Sequence, residues 1–246
     1  MHSGGIHVEL KATTLTHILG LPITNSLLMT WIVMAILIIF AIFFGRSLKM
    51  IPGKLQAGIE WLFEGAYNYI AETLESDVLA KRFFPLLATI FIFVLVANEL
   101  EFFPGVGSIG FFHGGVLTPL LRAPSADLNL TLALAMISFF TIEITGLATL
   151  GFFKYAGKYV NVKSPVGFAV GLIEIISNLG RLISFSFRLF GNIFAGEVLI
   201  LVVTYFIPYI GPVPVMLFEI FVGFVQAAIF ALLTLFFIKI AIMEPH

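Results

Sequence analysis

The sequence predicts an all-α integral membrane protein with about five transmembrane helices and one amphipathic helix on the membrane surface. Of its 246 residues, 60% are hydrophobic and only 11% are charged, whereas a soluble domain carries about 25% charged residues. Five apolar runs are long enough to cross a hydrocarbon core about 30 Å thick. One further segment carries apolar and polar residues on opposite faces of a helix.

The composition also excludes several classes of function. The net charge of −1 and the absence of a basic cluster argue against a nucleic-acid partner. Cysteine is absent, which excludes disulfides and thiolate metal sites. The histidines, at positions 2, 7, 17, 113 and 246, show no ligand spacing within a span, so we expect no metal site. We expect no cofactor and, without a GxxxxGK loop, no bound nucleotide.

The predicted organisation is one membrane domain over residues 1–246. It comprises an external segment 1–26, membrane helices 27–45, 83–103, 128–153, 166–206 and 213–242, and a surface helix 54–76. The first 24 residues lack the apolar core of a signal peptide, so we expect the first span to act as the targeting signal.

The last two runs are unusually long. As one helix, the fourth would reach about 60 Å, twice the membrane thickness. It therefore either breaks, with Gly191, Gly196 and Pro208 as weak points, or tilts strongly. The stretch "PYIGPVP", residues 208–214, predicts a turn. We interpret the two runs as a long, strongly tilted hairpin.

The surface helix is predicted from its period. Leu55, Ile59, Leu62, Phe63, Ala66, Ile70 and Leu74 share one face, and Gln56, Glu60, Glu64, Asn68 and Glu72 share the other. This pattern is typical of a helix that lies in the membrane interface. The alternative is a soluble element packed on a partner subunit.

The distribution of basic residues predicts the orientation. A cytoplasmic set consists of Arg46, Lys49, Lys54, Lys81, Arg82, Lys154, Lys158, Lys163 and Lys239, which leaves Lys11 and Arg122 outside. The N-terminus is then external, the C-terminus cytoplasmic, and the loop 104–126 external. Asn98, Glu99 and Glu101 are interpreted as a solvated helix end on the external side, with a funnel mouth as the alternative.

A polar stripe runs along the fourth span. Glu174, Ser177, Arg181, Ser184, Arg188 and Asn192 follow one another at intervals of 3 or 4 residues, so they share one helix face. Glu197 lies on the opposite face, and Glu219 and Gln226 share a face of the fifth span. An arginine at the bilayer centre costs about 2.5–3.5 kcal/mol on insertion scales. The stripe therefore indicates an aqueous path or an ion-pair network.

Arg188 permits two interpretations at this point. It could form a static salt bridge to Glu174 or Glu219, although such buried pairs stabilise weakly. Alternatively it could serve as a permanent cation, since its pKa exceeds about 12, and so favour ionisation of a carboxylate that approaches it.

The segment "RLFGNIFAGE", Arg188 to Glu197, resembles the signature of subunit a of the F-type ATP synthase. The segments "PSADLNLTLALA" at 124–135 and "FEIFVGFVQAAIFALLTLFFI" at 218–238 strengthen the resemblance, as do the number and order of the spans. It extends from about residue 25 to the end of the chain.

The resemblance implies a proton-translocating stator subunit with two offset half-channels. Arg188 would face the rotating ring of c subunits, attract its ionised carboxylates and prevent a short circuit. Asn192, Glu197, Glu219 and Gln226 match positions near the outer half-channel or the arginine, and Glu174 matches a position on the cytoplasmic side. The implied partners are the c-ring, b-type peripheral stalk subunits and the rest of the complex, which performs the chemistry on ATP. A bacterial inner membrane fits best.

Two features depart from the family pattern or lie outside it. Many relatives pair a glutamate with a histidine at the outer positions, whereas this chain has Glu197 and Glu219. Two neighbouring carboxylates predict one shared proton near neutral pH. Glu143 is either a lateral channel residue or a packing group, and the sequence does not decide.

Asp127, with Asn129, is interpreted as a helix N-terminal cap, with a share in the outer vestibule as the alternative.

A substrate transporter or self-contained channel is the competing function for the whole chain. The lack of an internal repeat argues against it.

Overall fold

Six long helices and two short β-hairpins make up the described part of this computed structural model, which covers residues 12–18, 20–103, 106, 109–113, 116–151, 154, 155, 157 and 165–243. The helices are α1 (Asn25–Ser47), α2 (Lys54–Leu74), α3 (Asp77–Glu99), α4 (Leu128–Leu150), α5 (Pro165–Phe206) and α6 (Pro212–Ile242). The antiparallel hairpins pair β1 (Thr14–Ile18) with β2 (Leu21–Thr24) and β3 (Gly110–His113) with β4 (Val116–Pro119).

Five of these helices are long and apolar enough to cross a membrane. They are α1, α3 together with the short 3-10 helix Leu100–Phe102, α4, α5 and α6, with mean hydropathies between 1.8 and 2.9. The predicted all-α membrane fold with about five spans is thereby confirmed. The tilt of the last two helices stays a prediction. The predictions that involve residues 1–11, 152–153, Lys158, Lys163 and 244–246 lie outside the described residues.

One predicted bound of the spans was wrong, and one of two alternatives is excluded. Helix α3 begins at Asp77 and not at 83, because Ser76 Oγ accepts a hydrogen bond from the Leu79 N–H and so caps a charged first turn. Hydropathy alone missed that turn. Helix α5 continues through Gly191 and Gly196, so the alternative of a broken helix does not hold.

The helical segments group into two compact units. The first unit contains Met1–Arg46, Phe91–Thr131 and Arg188–Ala228, and the second contains Ser47–Ile90, Leu132–Phe187 and Ile229–His246. The expectation of a single membrane domain stays a prediction.

An apolar core fixes the C-terminal half of α2 within the second unit. Ile70 and Leu74 are buried with residues of α3 and α6, among them Phe83 and Leu235. Tyr67 meets Phe84 edge-to-face, with ring centroids 5.6 Å apart. The apolar side chains earlier in α2 remain exposed, namely Leu55, Trp61 and Leu62. Helix α2 is therefore anchored by its last turns, and its position on the membrane surface stays a prediction.

Asn98 ties three segments of the first unit together. Its Nδ2 donates to the Gly223 carbonyl oxygen of α6 at 3.2 Å, and its Oδ1 accepts from Ser125 Oγ at 2.6 Å. A Cβ at Gly223 would lie 3.2 Å from the Asn98 Cβ, so a glycine permits the close approach. Asn98 is completely buried. Its interpretation as part of a solvated helix end was wrong, because α6 and Ser125 cover it.

Asp127 caps α4 as predicted. Its Oδ1 accepts hydrogen bonds from the backbone N–H of Asn129 at 2.9 Å and from the Asn129 side chain at 3.0 Å. Its Oδ2 accepts a hydrogen bond from Ser26 in the first turn of α1. The start of α4 is therefore held by a carboxylate that also contacts α1.

The variant Asn98→Ala should lower the thermal stability of the protein in lipid nanodiscs. It leaves the Ser125 hydroxyl and the Gly223 carbonyl without their partner, at a cost of about 1–3 kcal/mol each for a buried polar group. The matched control is Thr204→Val, since Thr204 Oγ1 bonds only to Ile200 O within its own helix in the described contacts and the residue is exposed. A melting temperature as high as that of the control would contradict this account.

Candidate functional site

The first unit contains a buried ion pair. Arg122 Nη2 lies 2.8 Å from Glu197 Oε2, and the two side chains are 8% and 29% exposed. Arg122 comes from the segment before the 3-10 helix Pro124–Ala126, and Glu197 lies on α5. The Arg122 Nε is buried without a hydrogen-bond partner among the described residues. The sequence predicted Arg122 only as an external charge. This contact could not be predicted, because no local pattern links residues 75 positions apart.

Further carboxylates collect around this pair. Glu219 of α6 is 7% exposed, and its carboxyl group lies against the backbone of α5. A Cβ at Gly196 would be 2.4 Å from Glu219 Oε2, so the glycine makes room for the carboxylate. Glu101 lies within electrostatic range of Glu197, Glu219 and Arg122. We call Arg122, Glu101, Glu197 and Glu219 the outer cluster.

Two charged residues of the polar stripe, Glu174 and Arg181, lie in the second unit. Arg181 Nη2 lies 3.5 Å from Glu174 Oε1, and its guanidinium lies 4.8 Å from the centre of the Phe237 ring on α6. A cation over an aromatic face is stabilised electrostatically. We call Glu174 and Arg181 the inner pair.

Arg188 is exposed, at the boundary of an apolar surface of α5. Its neighbours in the sequence and on the preceding turns are exposed apolar side chains, with Phe187 at 55%, Ile183 at 56% and Leu179 at 52%. A guanidinium on such a surface is costly against lipid tails. An arginine at such a position in a membrane-spanning helix is a candidate functional residue.

Of the two salt bridges considered for Arg188, the one to Glu174 is excluded by distance. Glu174 is fourteen residues earlier on the same unbroken helix, which places the two Cα atoms about 21 Å apart along the axis. No arginine and glutamate side chains bridge that distance. Of the remaining predicted residues, Gln226 is buried, Asn192 is half-buried, and Ser184 is exposed.

Glu143 of α4 is engaged in hydrogen bonds within the second unit. Its Oε2 accepts from Tyr155 Oη at 2.8 Å and its Oε1 accepts from Asn178 Nδ2 at 3.2 Å. Neither partner was predicted from the sequence. Across the described residues, no three His, Asp or Glu side chains group in a way that could hold a metal ion.

The variant Arg122→Gln should destabilise the protein, because it leaves the Glu197 carboxylate without its cation. Removing one partner of a buried ion pair lowers the free energy of unfolding by about 3–5 kcal/mol. Because Glu197 is partly exposed, we expect a loss at the lower end of that range or below it. The double variant Arg122→Gln/Glu197→Gln should recover at least about 1 kcal/mol. Thermal unfolding of the wild type, both single variants and the double variant measures this coupling; additive losses would contradict it.

Comparisons with known proteins identify the family of the chain. The family model of the ATP synthase A chain matches residues 27–239. The chain is 33% identical over 222 residues to ATP synthase subunit a of Geotalea uraniireducens, covering 90% of this chain and 89% of the relative. It is 30% identical over 246 residues to the subunit a of Trichlorobacter lovleyi, covering 98% of both. It is 35% identical over 206 residues to that of Campylobacter jejuni subsp. doylei, covering 82% and 83%.

Because the family model matches most of the chain, and because these relatives are at least 30% identical over at least four fifths of their length, the resemblance seen in the sequence is confirmed: the chain belongs to the ATP synthase A chain family.

Proposed function

We propose that the chain is the proton-translocating stator subunit of an F-type ATP synthase. In this role it delivers protons to, and receives them from, carboxylates on a rotating c-ring through two offset half-channels. One observation carries the proposal. Arg188 is exposed on α5, and it stands in the sequence between the inner pair of the second unit and Glu197 of the outer cluster in the first unit.

The outer cluster is the entry side in this mechanism. It holds three carboxylates and one arginine, so the charge of Arg122 offsets only one of them. Protons pass Glu219 and Glu197, with Asn192 and Gln226 assigned to this side by the family resemblance. Arg122 acts as a positioning residue that holds Glu197 in place.

Arg188 separates the two half-channels. Its guanidinium stays charged at any physiological pH and attracts the ionised carboxylate of the ring subunit that faces it. A permanent cation repels passing protons and so prevents direct leakage between the half-channels. Each proton that crosses 100 mV supplies about 2.3 kcal/mol, so several are needed for each ATP released.

The exposed side of α5 suits a helical partner. Ser177, Gly180 and Ser184 are exposed there, and a Cβ at Gly180 would meet no atom within 4 Å. Small residues let the backbones of two membrane helices approach closely. This face is the proposed contact with the c-ring. The b-type peripheral stalk subunits and the rest of the complex complete the assembly, and the chemistry on ATP belongs to those partners.

The inner pair is the exit side. Glu174 receives protons from the ring after nearly a full turn and releases them to the cytoplasm, and Arg181 holds the Glu174 carboxylate in place. This direction assumes an external N-terminus and a cytoplasmic C-terminus in a bacterial cell membrane. Asp127 is left outside the path, since its carboxylate caps α4 and contacts Ser26.

A self-contained channel or substrate transporter is the competing function. Such a protein lines its path with inward-facing polar groups, whereas Arg188 is exposed. It would also transport ions when purified alone in liposomes. The stator requires the ring, so transport by the chain alone would favour the competitor.

The variant Arg188→Ala should abolish ATP synthesis and allow passive proton leak, because the cation that separates the half-channels is gone. ATP synthesis and proton permeability are measured on the whole complex in proteoliposomes. The neighbouring Phe187→Leu variant, which keeps an apolar exposed side chain, is the control and should retain coupling. Preserved synthesis in Arg188→Ala would refute the proposed function.

The variant Gly196→Ala should slow ATP synthesis by about tenfold without causing a leak. The new methyl group displaces the Glu219 carboxyl group, and misplacing a proton-transfer group by about 1 Å is costly. Gly45→Ala in α1 is the matched control, since its Cβ meets nothing within 4 Å. Equal rates in the two variants would show that the position of Glu219 does not matter.

A further inference from the structure

We propose that Glu143 is a proton-exchanging residue on the exit side, connected to the inner pair through a cavity the size of one water molecule, with Tyr155 as its positioning residue. This inference rests on the proposed function and extends its exit path from α5 to α4.

The position of Glu143 is the first observation. It is an ionisable residue inside a membrane-spanning helix, where carboxylates are rare and mark proton relays, ion paths or paired charges. Its two oxygens accept hydrogen bonds from different segments, the Tyr155 hydroxyl at 2.8 Å and the Asn178 amide at 3.2 Å. These two hydrogen bonds fix the orientation of the Glu143 carboxyl group.

The packing of Tyr155 is the second observation. Tyr155 is 6% exposed, and its ring lies on the backbone of α4 at Gly146. A Cβ at that position would be 2.4 Å from Tyr155 Cε2 and 2.9 Å from Cζ. Gly146 follows Glu143 by three residues, so both lie on one face of α4. The glycine thus makes room for the ring that delivers a hydroxyl to the carboxylate.

A cavity of about 10 Å³ lies beside the carboxylate, which is about the space that one water molecule needs. Its polar lining residues are Glu143, Asn178 and Arg181, and its apolar ones are Ala135, Phe139, Ile142, Leu182, Phe185 and Phe237. A water with polar neighbours on three side chains meets the usual requirement of two to four partners. Because Arg181 also pairs with Glu174, polar groups run from Glu174 through the cavity to Glu143 and Tyr155.

The proposed step conserves protons and charge. The Glu143 carboxylate takes one proton from the cavity water, which is replenished from the side of Glu174. It then releases that proton to a solvent water on the cytoplasmic side and returns to the ionised form. Among the described residues, the titratable groups that face this site include Tyr155 from the segment after α4 and Arg181 with Glu174 from α5. Helix α6 contributes only the uncharged Phe237 to the described lining.

The test compares Glu143→Gln with the wild type in the whole complex, reconstituted in proteoliposomes. Glutamine keeps the size and an acceptor oxygen but cannot carry the proton. A relay predicts that ATP synthesis at constant driving force falls at least about tenfold, the lower range for loss of a proton-transfer group. It also predicts a flatter dependence of the rate on the pH of the ATP-synthesising side. Glu143→Asp, which can still carry a proton, should restore part of the rate of ATP synthesis and part of its pH dependence.

Thr141→Val is the matched control on the same helix. Its hydroxyl bonds to Ile137 O within α4 and the residue is partly exposed, so this variant should match the wild type. Unchanged rate and pH profile in Glu143→Gln would assign Glu143 to packing and overturn the proposal. The Arg188→Ala variant is measured in the same preparation. If it loses coupling while Glu143→Gln is normal, only this inference fails; if it keeps coupling, the proposed function fails.

The variant Tyr155→Phe tests the same proposal even if the Glu143→Gln protein does not fold. It keeps the ring on Gly146 and removes only the hydroxyl. A positioning role predicts a shifted pH profile in the wild-type background and no additional effect in the Glu143→Gln background, since coupled residues are not additive. If Glu143→Gln does not assemble, a wild-type pH profile in Tyr155→Phe overturns the proposal by itself.

Discussion

The cost of placing charge in a membrane governs this structure. An ionised side chain in hydrocarbon is expensive, so each such group in the spans needs a counter-charge, a hydrogen-bond donor or water. Glu197 has Arg122, Glu174 has Arg181, and Glu143 has Tyr155 and Asn178. Arg188 is the case in which the chain directs a permanent cation outward. The proposed function assigns this exposed cation to the contact with the ring.

Glycines make several of these arrangements possible. At Gly196 the Glu219 carboxyl group packs against the backbone of α5, because no side chain is in the way. In the same manner Asn98 packs against α6 at Gly223, and the Tyr155 ring packs against α4 at Gly146. In each case a helix backbone meets a polar or aromatic side chain from elsewhere in the same unit. A glycine in a helix costs about 1 kcal/mol relative to alanine. Here that loss permits close packing around polar groups, which an alanine methyl group would displace.

The sequence predicted the fold class, the spans and the stripe because these depend on local periodicity and composition. Apolar runs of about 20 residues and a polar stripe at helical spacing are visible without knowledge of the partners. The N-terminal cap of α4 by Asp127 was likewise predicted from neighbouring residues. The first turn of α3 was missed, because Asp77 and Lys81 lower its hydropathy although they form an ion pair at 2.8 Å.

Contacts between residues far apart in the sequence could not be predicted from local patterns. Nothing near Arg122 in the sequence indicates Glu197, and nothing near Asn98 indicates Gly223, 125 residues later. Burial of a polar group depends on which segments meet, which periodicity does not report. For the same reason the sequence left the role of Glu143 open. Its donors lie 12 and 35 residues away, on a segment and a helix whose contacts only the folded chain reveals.

The central claim is that the Arg188 face of α5 lies against a ring of c subunits, and disulfide trapping tests it most directly. The native chain has no cysteine, so single cysteines at Phe187 or Asn192 can be paired with one beside the ring carboxylate. The account predicts efficient cross-linking in membranes, with rotation blocked until the disulfide is reduced. Failure to cross-link at any position along the exposed face of α5 would contradict it, because the arginine would then face something other than the ring.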